Sequence, residues 1–357
     1  MSYGPHNQEV NTTREFQHHE RLENTTGRVT PHKSLENSAA TRTLEWLHEG
    51  KAFRVAYDRF GSGPEVLFLP AMSTVSTRHE WDTVARALAG QFAVMLLDWP
   101  GFGDSSRLKA EYSPGLFHVF LRDFVRSEFR QRVSVVAAGH GAGYVLRMAS
   151  RETGLWSRAV LVAPTWRGPM PTAMGEHPKL YSILRNLVAI PGLGSALYRL
   201  NTSRWFLRRM YGRHVYANRD NLTEPRLGQK QRLARQRGAR FASSAFVTGG
   251  LDPFENRAGC LNALGSTQIP VLLVFGEGTP PKSRSEMDAL EGAGSHLRML
   301  LPESLGLHEE SAEALVAPLR EFLSNRSCLQ NLAGGGGPPG RGGIAGAVTH
   351  PIDPRAV

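Results

Sequence analysis

Short apolar runs alternate along the chain with segments in which apolar residues recur at helical spacing. Residues 43–60 alternate apolar and polar side chains around the Glu49-Gly50 turn, a pattern that predicts a β-hairpin. The other predicted strands are mostly continuous apolar runs, typical of strands buried on both faces, and lie at 65–69, 93–97, 133–138, 159–163, 271–275 and 296–301. Segments with helical spacing lie at 80–89, 114–130 and 311–323. This alternation predicts an α/β fold, in which a mostly parallel sheet carries helices on both faces.

Changes of composition divide the chain into four parts. Residues 1–40 are polar and lack an apolar period, which predicts a disordered N-terminal arm, and residues 328–357 form a Gly/Pro-rich tail that we also expect to be disordered. Residues 169–245 mix apolar side chains with many arginines and interrupt the strand pattern, so they are predicted to form a helical cap inserted over the sheet. The α/β core is then assigned to residues 41–168 and 246–327.

The charge of the chain is concentrated in the predicted cap. The formal net charge is +10, and residues 175–245 alone carry 14 Lys or Arg against 3 Asp or Glu. Such a concentration favours an anionic partner, for example a membrane surface, although a solvated basic face gives the same pattern. No nucleic-acid-binding motif accompanies the charge, so nucleic acid is not an expected partner.

Cysteine content and hydropathy restrict the class of protein. Two cysteines, Cys260 and Cys328, cannot build a disulfide framework, and neither has a neighbour typical of a metal site. The N-terminus lacks the pattern of a secretory signal, and no run of 18 or more apolar residues occurs. We therefore expect a cytoplasmic protein, with peripheral membrane contact as the alternative. Neither a metal nor an organic cofactor is expected, and the oligomeric state is left open.

Three landmarks in the chain carry chemistry. The apolar run 133–138 is followed by Gly139-His140-Gly141-Ala142-Gly143 and a helix-compatible run, a layout similar to the G-x-S-x-G nucleophile elbow. The segment from Asp98 to Ser105 is similar to a D-x-P-G-x-G-x-S turn. Residues 274–277 and His308-Glu309-Glu310 follow later in the chain. By these landmarks, residues 43–325 resemble the α/β-hydrolase superfamily, in its capped form.

The resemblance implies that the nucleophile is missing. In that family, a serine attacks an acyl carbon, a histidine takes its proton, and an acid orients the histidine. Aligned on G-H-S-x-G, Gly141 stands in the place of the serine, between His140 and Ala142. A glycine has no side chain that could attack, and it adopts the strained backbone of an elbow freely. The site at residues 140–142 is therefore predicted to be vacant.

The resemblance leaves the acid and the histidine open. It places Thr279 at the acid position, with Glu277 one candidate substitute and Asp252 another. His308 matches either the catalytic histidine or a second histidine of the family's pattern, and in the second case Leu305 occupies the catalytic place. We favour His308, with Glu277, as the candidate catalytic pair.

The loop after the third strand also departs from the family. Pro70-Ala71 stands where the family has His-Gly. Because oxyanion stabilisation uses backbone amides, the N–H groups of Met72 and Ala142 could still form a site for a carbonyl or an anion.

Three functions are compatible with the sequence. The leading hypothesis is a protein that has lost serine-nucleophile hydrolysis and binds a small ligand, largely apolar or of acyl type and with a possible negative charge, between cap and core. The second is an enzyme without a serine nucleophile, with His308 as general base, acting as a hydrolase, lyase or cofactor-free oxygenase. The third is a membrane-surface or partner-binding module that uses the basic cap.

Overall fold

The structure, a computed structural model, describes residues 41–293 and 296–325. The predicted N-terminal arm at 1–40 and the predicted tail at 328–357 lie outside the described residues. In the part that is described, strands and helices alternate as the hydrophobic pattern predicts.

Eight strands form one sheet in the described part of the chain. They are β1 (Arg42–His48), β2 (Lys51–Gly61), β3 (Glu65–Leu69), β4 (Ala93–Leu97), β5 (Val133–Ala138), β6 (Trp156–Val162), β7 (Val271–Gly276) and β8 (Leu297–Leu301). The strand order is β1-β2-β4-β3-β5-β6-β7-β8. The strand β2 runs antiparallel to β1 and to β4, and every pairing from β4 to β8 is parallel. The predicted hairpin and the mostly parallel sheet are both confirmed.

Helices connect the strands and cover the sheet. They are α1 (Asp82–Leu88), α2 (Pro114–Glu128), α3 (Gly139–Arg151), α4 (Pro169–Met174), α5 (Pro178–Ala189), α6 (Leu193–Asn201), α7 (Arg204–Met210), α8 (Glu224–Ala234), α9 (Ala239–Val247), α10 (Arg257–Gly265), α11 (Pro281–Glu291), α12 (Leu307–Glu310) and α13 (Ala312–Ser324). Helix α1 packs against α13, whereas α3 packs against α2 and α10. The sheet thus lies between two helix layers, as predicted for an α/β fold.

The segment predicted as a cap is helical in the structure. Helices α4 to α9 follow one another between β6 and α10, and we refer to residues 169–247 as the inserted segment. Its central part contributes Leu207, Tyr211 and Tyr216 to a small apolar cluster that is separate from the main core. The same cluster includes Val75, from the loop after β3. The inserted segment is therefore anchored on the carboxyl-end side of strand β3.

No single helix among the described residues is long and apolar enough to cross a membrane. Helices α5 and α6 reach the required length only together, and they are bent by 109° at the break between them.

The segment from Asp98 to Ser105 holds a buried ion cluster. The side chain of Arg78, from the 3₁₀ turn Arg78–Trp81, is 2% exposed. Its guanidinium donates to Asp98 (Nη1 to Oδ2, 2.5 Å), to Asp58 (Nε to Oδ2, 2.8 Å) and to Asp104 (Nη1 to Oδ2, 2.8 Å). A buried cation must be compensated in this way. The cluster joins β2, the end of β4 and the turn that follows β3.

Candidate functional site

The connection between β5 and α3 bends sharply at Gly139. This residue has φ +49°, a conformation that side chains other than glycine rarely adopt, and helix α3 starts there. The sequence prediction placed the bend at Gly141, two residues later. Gly141 instead lies in the first turn of α3 and has no positive φ. The bend therefore belongs to Gly139, and the prediction is corrected at this point.

Gly141 is required for packing. A Cβ atom added to it would lie 2.6 Å from the carbonyl oxygen of Pro70, which is a backbone atom that cannot move aside easily. The same oxygen accepts a hydrogen bond from the indole of Trp99 (Nε1 to O, 3.1 Å). A serine at position 141 would therefore collide with the loop after β3.

The backbone amides near the bend are engaged within the protein. The N–H of His140 donates to the carbonyl oxygen of Ala71 at 3.2 Å. Ala142 is the fourth residue of α3, where helix geometry directs the amide to a carbonyl one turn earlier. Met72 is buried and has φ +51°. The amide of Ala142 is therefore not free to bind a carbonyl or an anion. The predicted pair of amide donors at Met72 and Ala142 lacks at least this one.

The predicted acid positions lie at the end of β7. Glu277 is exposed, and in the described part of the chain its carboxylate makes no hydrogen bond or ion pair with a histidine. Thr279 is buried, and its hydroxyl oxygen has no hydrogen-bond partner among the described residues. The structure therefore does not bring Glu277 together with His308.

His308 lies on α12, and its carboxylate neighbour is Glu80. The imidazole Nε2 is 3.4 Å from Oε2 of Glu80, and the two side chains are 3% and 4% exposed. The ring packs on Trp81 with 4.9 Å between ring centroids. The other nitrogen, Nδ1, is buried without a partner among the described residues. Leu305, the alternative at this position, is half-buried and packs against the main core.

Glu80 is not among the site residues that the sequence predicts. It lies in the 3₁₀ turn that precedes α1, 228 positions before His308, and no motif in the sequence marks it. Its carboxylate also accepts the amide of Ala71 (N to Oε2, 3.4 Å). Glu80 therefore connects His308 to the loop after β3. In that loop, the carbonyl of Ala71 accepts the hydrogen bond from the amide of His140.

The residue after His308 joins the core to the inserted segment. Glu309 accepts two hydrogen bonds from Nζ of Lys230 on α8, at 3.0 and 2.9 Å, and one from the hydroxyl of Tyr216, at 2.9 Å. The ammonium lies 4.6 Å from the ring centroid of Tyr211. The carboxylate keeps the pKa of Lys230 above its ordinary value despite burial. The ammonium in turn holds the pKa of Glu309 low.

Glu80, His308 and Glu309 offer ligand atoms within 4.8 Å of one another, a spacing that suits a metal ion. The ammonium of Lys230, however, already contacts both oxygens of Glu309. A divalent cation at this place would have to displace a buried positive charge. The donor set fits a buried ion-pair network better than a metal centre.

A cavity of about 120 Å³ opens between the core and α8. Its lining includes Glu80, His308 and Glu309 on one side and Arg226 and Lys230 on the other. The walls are mainly polar, whereas the sequence predicts a largely apolar site. Ligand pockets for drug-sized molecules are several times larger, so this cavity suits only a few non-hydrogen atoms.

A second polar pair lies beside the bend. Nε2 of His140 is 2.8 Å from the carbonyl oxygen of Leu251 and 3.6 Å from Oδ1 of Asp252. Asp252 also accepts the amide of Gly168 at 2.8 Å. Burial lowers the pKa of His140 to about 4 and raises the pKa of Asp252 to about 7. Asp252, an outside candidate for the acid, thus lies next to His140 and not next to His308.

The raised pKa of Asp252 predicts a pH-dependent contribution to stability. The folded state prefers the protonated carboxyl, so the stabilisation is complete below the unfolded pKa of about 4 and is lost as pH rises through about 7. We expect the free energy of unfolding of wild type, relative to Asp252→Asn, to fall by on the order of 3 kcal/mol between pH 4 and pH 8. Urea denaturation across this range measures it, and a constant difference would contradict the assignment.

Comparison with known proteins identifies one family that the chain matches. Residues 66–318, more than half of the chain, match the sequence model of the alpha/beta hydrolase family. Uncharacterized proteins of Mycobacterium tuberculosis and Mycobacterium bovis are 32% identical over 113 residues. That match covers 32% of this chain and 31% of each relative, so the matched segment spans about a third of the curated relatives' length.

Solved structures with the same fold are named for different activities. A proposed epoxide hydrolase from Pseudomonas aeruginosa superimposes with a TM-score of 0.62 at 21% identity and covers 84% of this chain and 100% of its own. A thermophilic esterase from Thermogutta terrifontis gives 0.62 at 15% identity, with 81% and 99% covered. A bromoperoxidase from Bacillus anthracis gives 0.60 at 16% identity, with 80% and 100% covered. Similarities at this level of identity establish the fold and leave the reaction open.

Proposed function

Because the chain belongs to the α/β hydrolase family, we propose that it is a member that has lost hydrolysis by a serine nucleophile and binds a small ligand between a helical cap and the core. The observation that carries this proposal is Gly139 at the bend between β5 and α3. The nucleophile of such an elbow sits on the strained residue between strand and helix. At this residue the chain has no side chain, so no covalent intermediate can form there.

The surroundings of the bend support the same conclusion. The amide of His140, which follows the bend, is hydrogen-bonded to the carbonyl of Ala71. An oxyanion hole needs amides that are free to receive a developing negative charge. A buried carboxylate does contact a histidine, since Nε2 of His308 is 3.4 Å from Oε2 of Glu80, but Gly139 offers this pair no hydroxyl to activate. The missing nucleophile is thus accompanied by an engaged amide at the position that an oxyanion hole would use.

The cavity beside His308 supports the ligand part of the proposal. Of its cationic groups, Lys230 is paired with Glu309, whereas Arg226 has no carboxylate within ion-pair distance among the described residues. The carboxylates of Asp104 and Asp82, 3.8 and 3.2 Å from its ring nitrogens, raise the pKa of His79 to about 10, so this group is charged at neutral pH and paired. A small anionic ligand therefore suits the cavity better than a neutral apolar one.

Acid–base catalysis by His308 is a second candidate. The imidazole lines the cavity, Glu80 contacts Nε2, and Nδ1 is buried without a partner among the described residues. A carboxylate on one nitrogen of a histidine orients the ring and supports its action as a base. In this candidate, Glu80 takes the role that the sequence predicts for Glu277.

We expect no covalent labelling when the folded protein is incubated with a fluorophosphonate probe, because Gly139 offers no nucleophile. Labelling is measured by intact mass, with an active serine esterase as positive control and a heat-denatured sample for background. One probe per folded protein molecule would overturn the proposal.

Turnover of p-nitrophenyl acetate by the same preparation distinguishes the two candidates. The first predicts no turnover above buffer in wild type and in His308→Gln alike. Turnover by wild type that His308→Gln abolishes, with the probe still inert, would instead establish the second.

A further inference from the structure

Exposed apolar side chains are concentrated in one part of the fold. Of the nine large apolar side chains that are exposed in the described part of the chain, eight lie between Met174 and Trp205. Leu200 and Trp205 are each 72% exposed. We call this surface the apolar ridge, and define it by Leu180, Ile183, Ile190, Leu193, Leu197, Leu200 and Trp205. Clusters of this kind mark interaction surfaces, whereas single exposed apolar residues need no explanation.

The ridge is the outward face of amphipathic helices. Leu193, Leu197 and Leu200 follow each other at i, i+4 and i+7, so they share one face of α6. The other side of α6 packs closely on α5, since a Cβ atom added to Gly194 would lie 2.1 Å from the carbonyl oxygen of Val188. Surface helices of globular proteins normally turn their apolar stripe inward. Helix α6 has the opposite orientation.

Basic side chains accompany the ridge. Lys179, Arg199, Arg204, Arg208 and Arg209 are all exposed on α5, α6 and α7. Arg204 and Arg208 form ion pairs with Glu224. In the described part of the chain, no carboxylate lies within ion-pair distance of Arg199 or Arg209. The ridge therefore combines apolar side chains with positive charges at Arg199 and Arg209 that have no counterion among the described residues.

This combination identifies the occupant. In a symmetric dimer, the same patch meets itself, so the uncompensated arginines of two copies would face one another. An anionic phospholipid surface instead offers negative headgroups to the arginines and an apolar boundary to the leucines and Trp205.

The geometry indicates contact in the plane of the interface. Helices α5 and α6 have 12 and 9 residues, and about 20 are needed to cross a bilayer. They meet at a bend of 109°, which prevents them from acting as one straight span. Short amphipathic helices of this type lie at the headgroup level with their apolar face inserted.

We propose that the protein docks on anionic membrane surfaces through the apolar ridge of α5, α6 and α7, with Arg199 and Arg209 bound to lipid headgroups. This docking is independent of the ligand and the chemistry proposed above. A protein docked in this way carries its polar cavity, which α8 borders, to the membrane.

Cosedimentation of the full chain with vesicles tests the proposal. We expect binding to phosphatidylcholine vesicles that contain 30% phosphatidylglycerol, weaker binding in high salt, and little binding to pure phosphatidylcholine. Leu197→Asp/Leu200→Asp should weaken binding about tenfold or more, because it removes inserted apolar surface. Arg199→Ser/Arg209→Ser should weaken it about tenfold through lost headgroup attraction. Tryptophan fluorescence should shift to the blue with vesicles in wild type and not in Trp205→Phe.

Matched control variants separate docking from folding. Leu47→Asp changes an exposed apolar side chain on β1, outside the ridge, and Arg130→Ser/Arg132→Ser changes exposed arginines before β5. Both should bind as wild type does. Absence of binding, equal binding to neutral vesicles, or equal losses in ridge and control variants would overturn the proposal. A stable dimer in sedimentation equilibrium that Leu197→Asp/Leu200→Asp dissociates would overturn it too, in favour of a second copy as occupant.

Discussion

Replacing Arg78 by methionine is expected to lower the free energy of unfolding by about 3–5 kcal/mol. The guanidinium is the only cation within ion-pair distance of Asp58 and Asp98 in the described part of the chain. Methionine fills a similar volume but leaves both carboxylates buried without a positive charge. Breaking a buried ion pair from one side costs far more than the pair contributes, because the remaining charge has lost its solvation.

The position of Asp98 makes the expected loss large. Its side chain is completely buried, and burial raises its pKa while Arg78 opposes this change. Without Arg78, the carboxyl either stays charged in a dry site or takes up a proton on folding, and both cost free energy at pH 7.

Urea denaturation followed by circular dichroism measures the loss. Arg130→Met, at an exposed site, is the matched control and should change stability by less than about 0.5 kcal/mol. Arg78→Lys keeps a charge but loses the planar fork, so it should lie between wild type and Arg78→Met. A loss below about 1 kcal/mol in Arg78→Met would show that the cluster does not depend on its cation.

The second large effect is expected for Lys230→Met. This variant should lose about 3–5 kcal/mol at pH 7, because Glu309 would remain nearly buried without the ammonium that contacts both its oxygens. Lys230 is on α8 and Glu309 on α12, so the loss falls on the contact between the inserted segment and the core.

The pH dependence of this variant has a defined sign. In wild type, Lys230 keeps the pKa of Glu309 below its ordinary value, so the stabilisation is present above the unfolded pKa and is lost as pH falls. In Lys230→Met, burial without a cation raises that pKa, so the variant gains stability on acidification. The difference between the two proteins should therefore shrink from pH 7 to pH 4.

Denaturation curves of four proteins check this prediction: wild type, Lys230→Met, Glu309→Gln and the double variant. The double variant should be more stable than Lys230→Met, because no unpaired charge remains. Lys109→Met, at an exposed site, is the control and should behave as wild type does. A difference that grows on acidification would contradict the assignment.

The strands could be predicted because burial on two faces imposes a simple pattern on the sequence. The runs at 66–69 and 93–97 are continuous and apolar, and the predicted strands at 65–69 and 93–97 have those bounds in the structure. The hairpin at 43–60 was equally clear, since alternation reports one buried face directly. The inserted segment could be predicted because it interrupts the alternation of strands and helices. The direction in which its apolar residues point could not be predicted.

The bend at Gly139 was misplaced by the motif. Several glycines follow β5, and the sequence does not state which of them takes the positive φ. Where the strand ends decides this, and the strand ends at Ala138 because its pairing with β6 extends to that residue. The neighbouring Gly141 is needed for space beside Pro70, a requirement that only the packed structure shows.

The sequence by itself determined the fold class, the order of the strands along the chain, the lack of serine at the β5–α3 turn and the basic character of residues 175–245. These properties depend on local periodicity, on residue identity and on composition. Only the tertiary structure decided that His308 meets Glu80, that Lys230 meets Glu309 and that Arg78 collects three carboxylates. These partners are far apart in sequence, and burial selects them because each buried charge needs a neighbour of opposite sign or a hydrogen bond, whichever element supplies it.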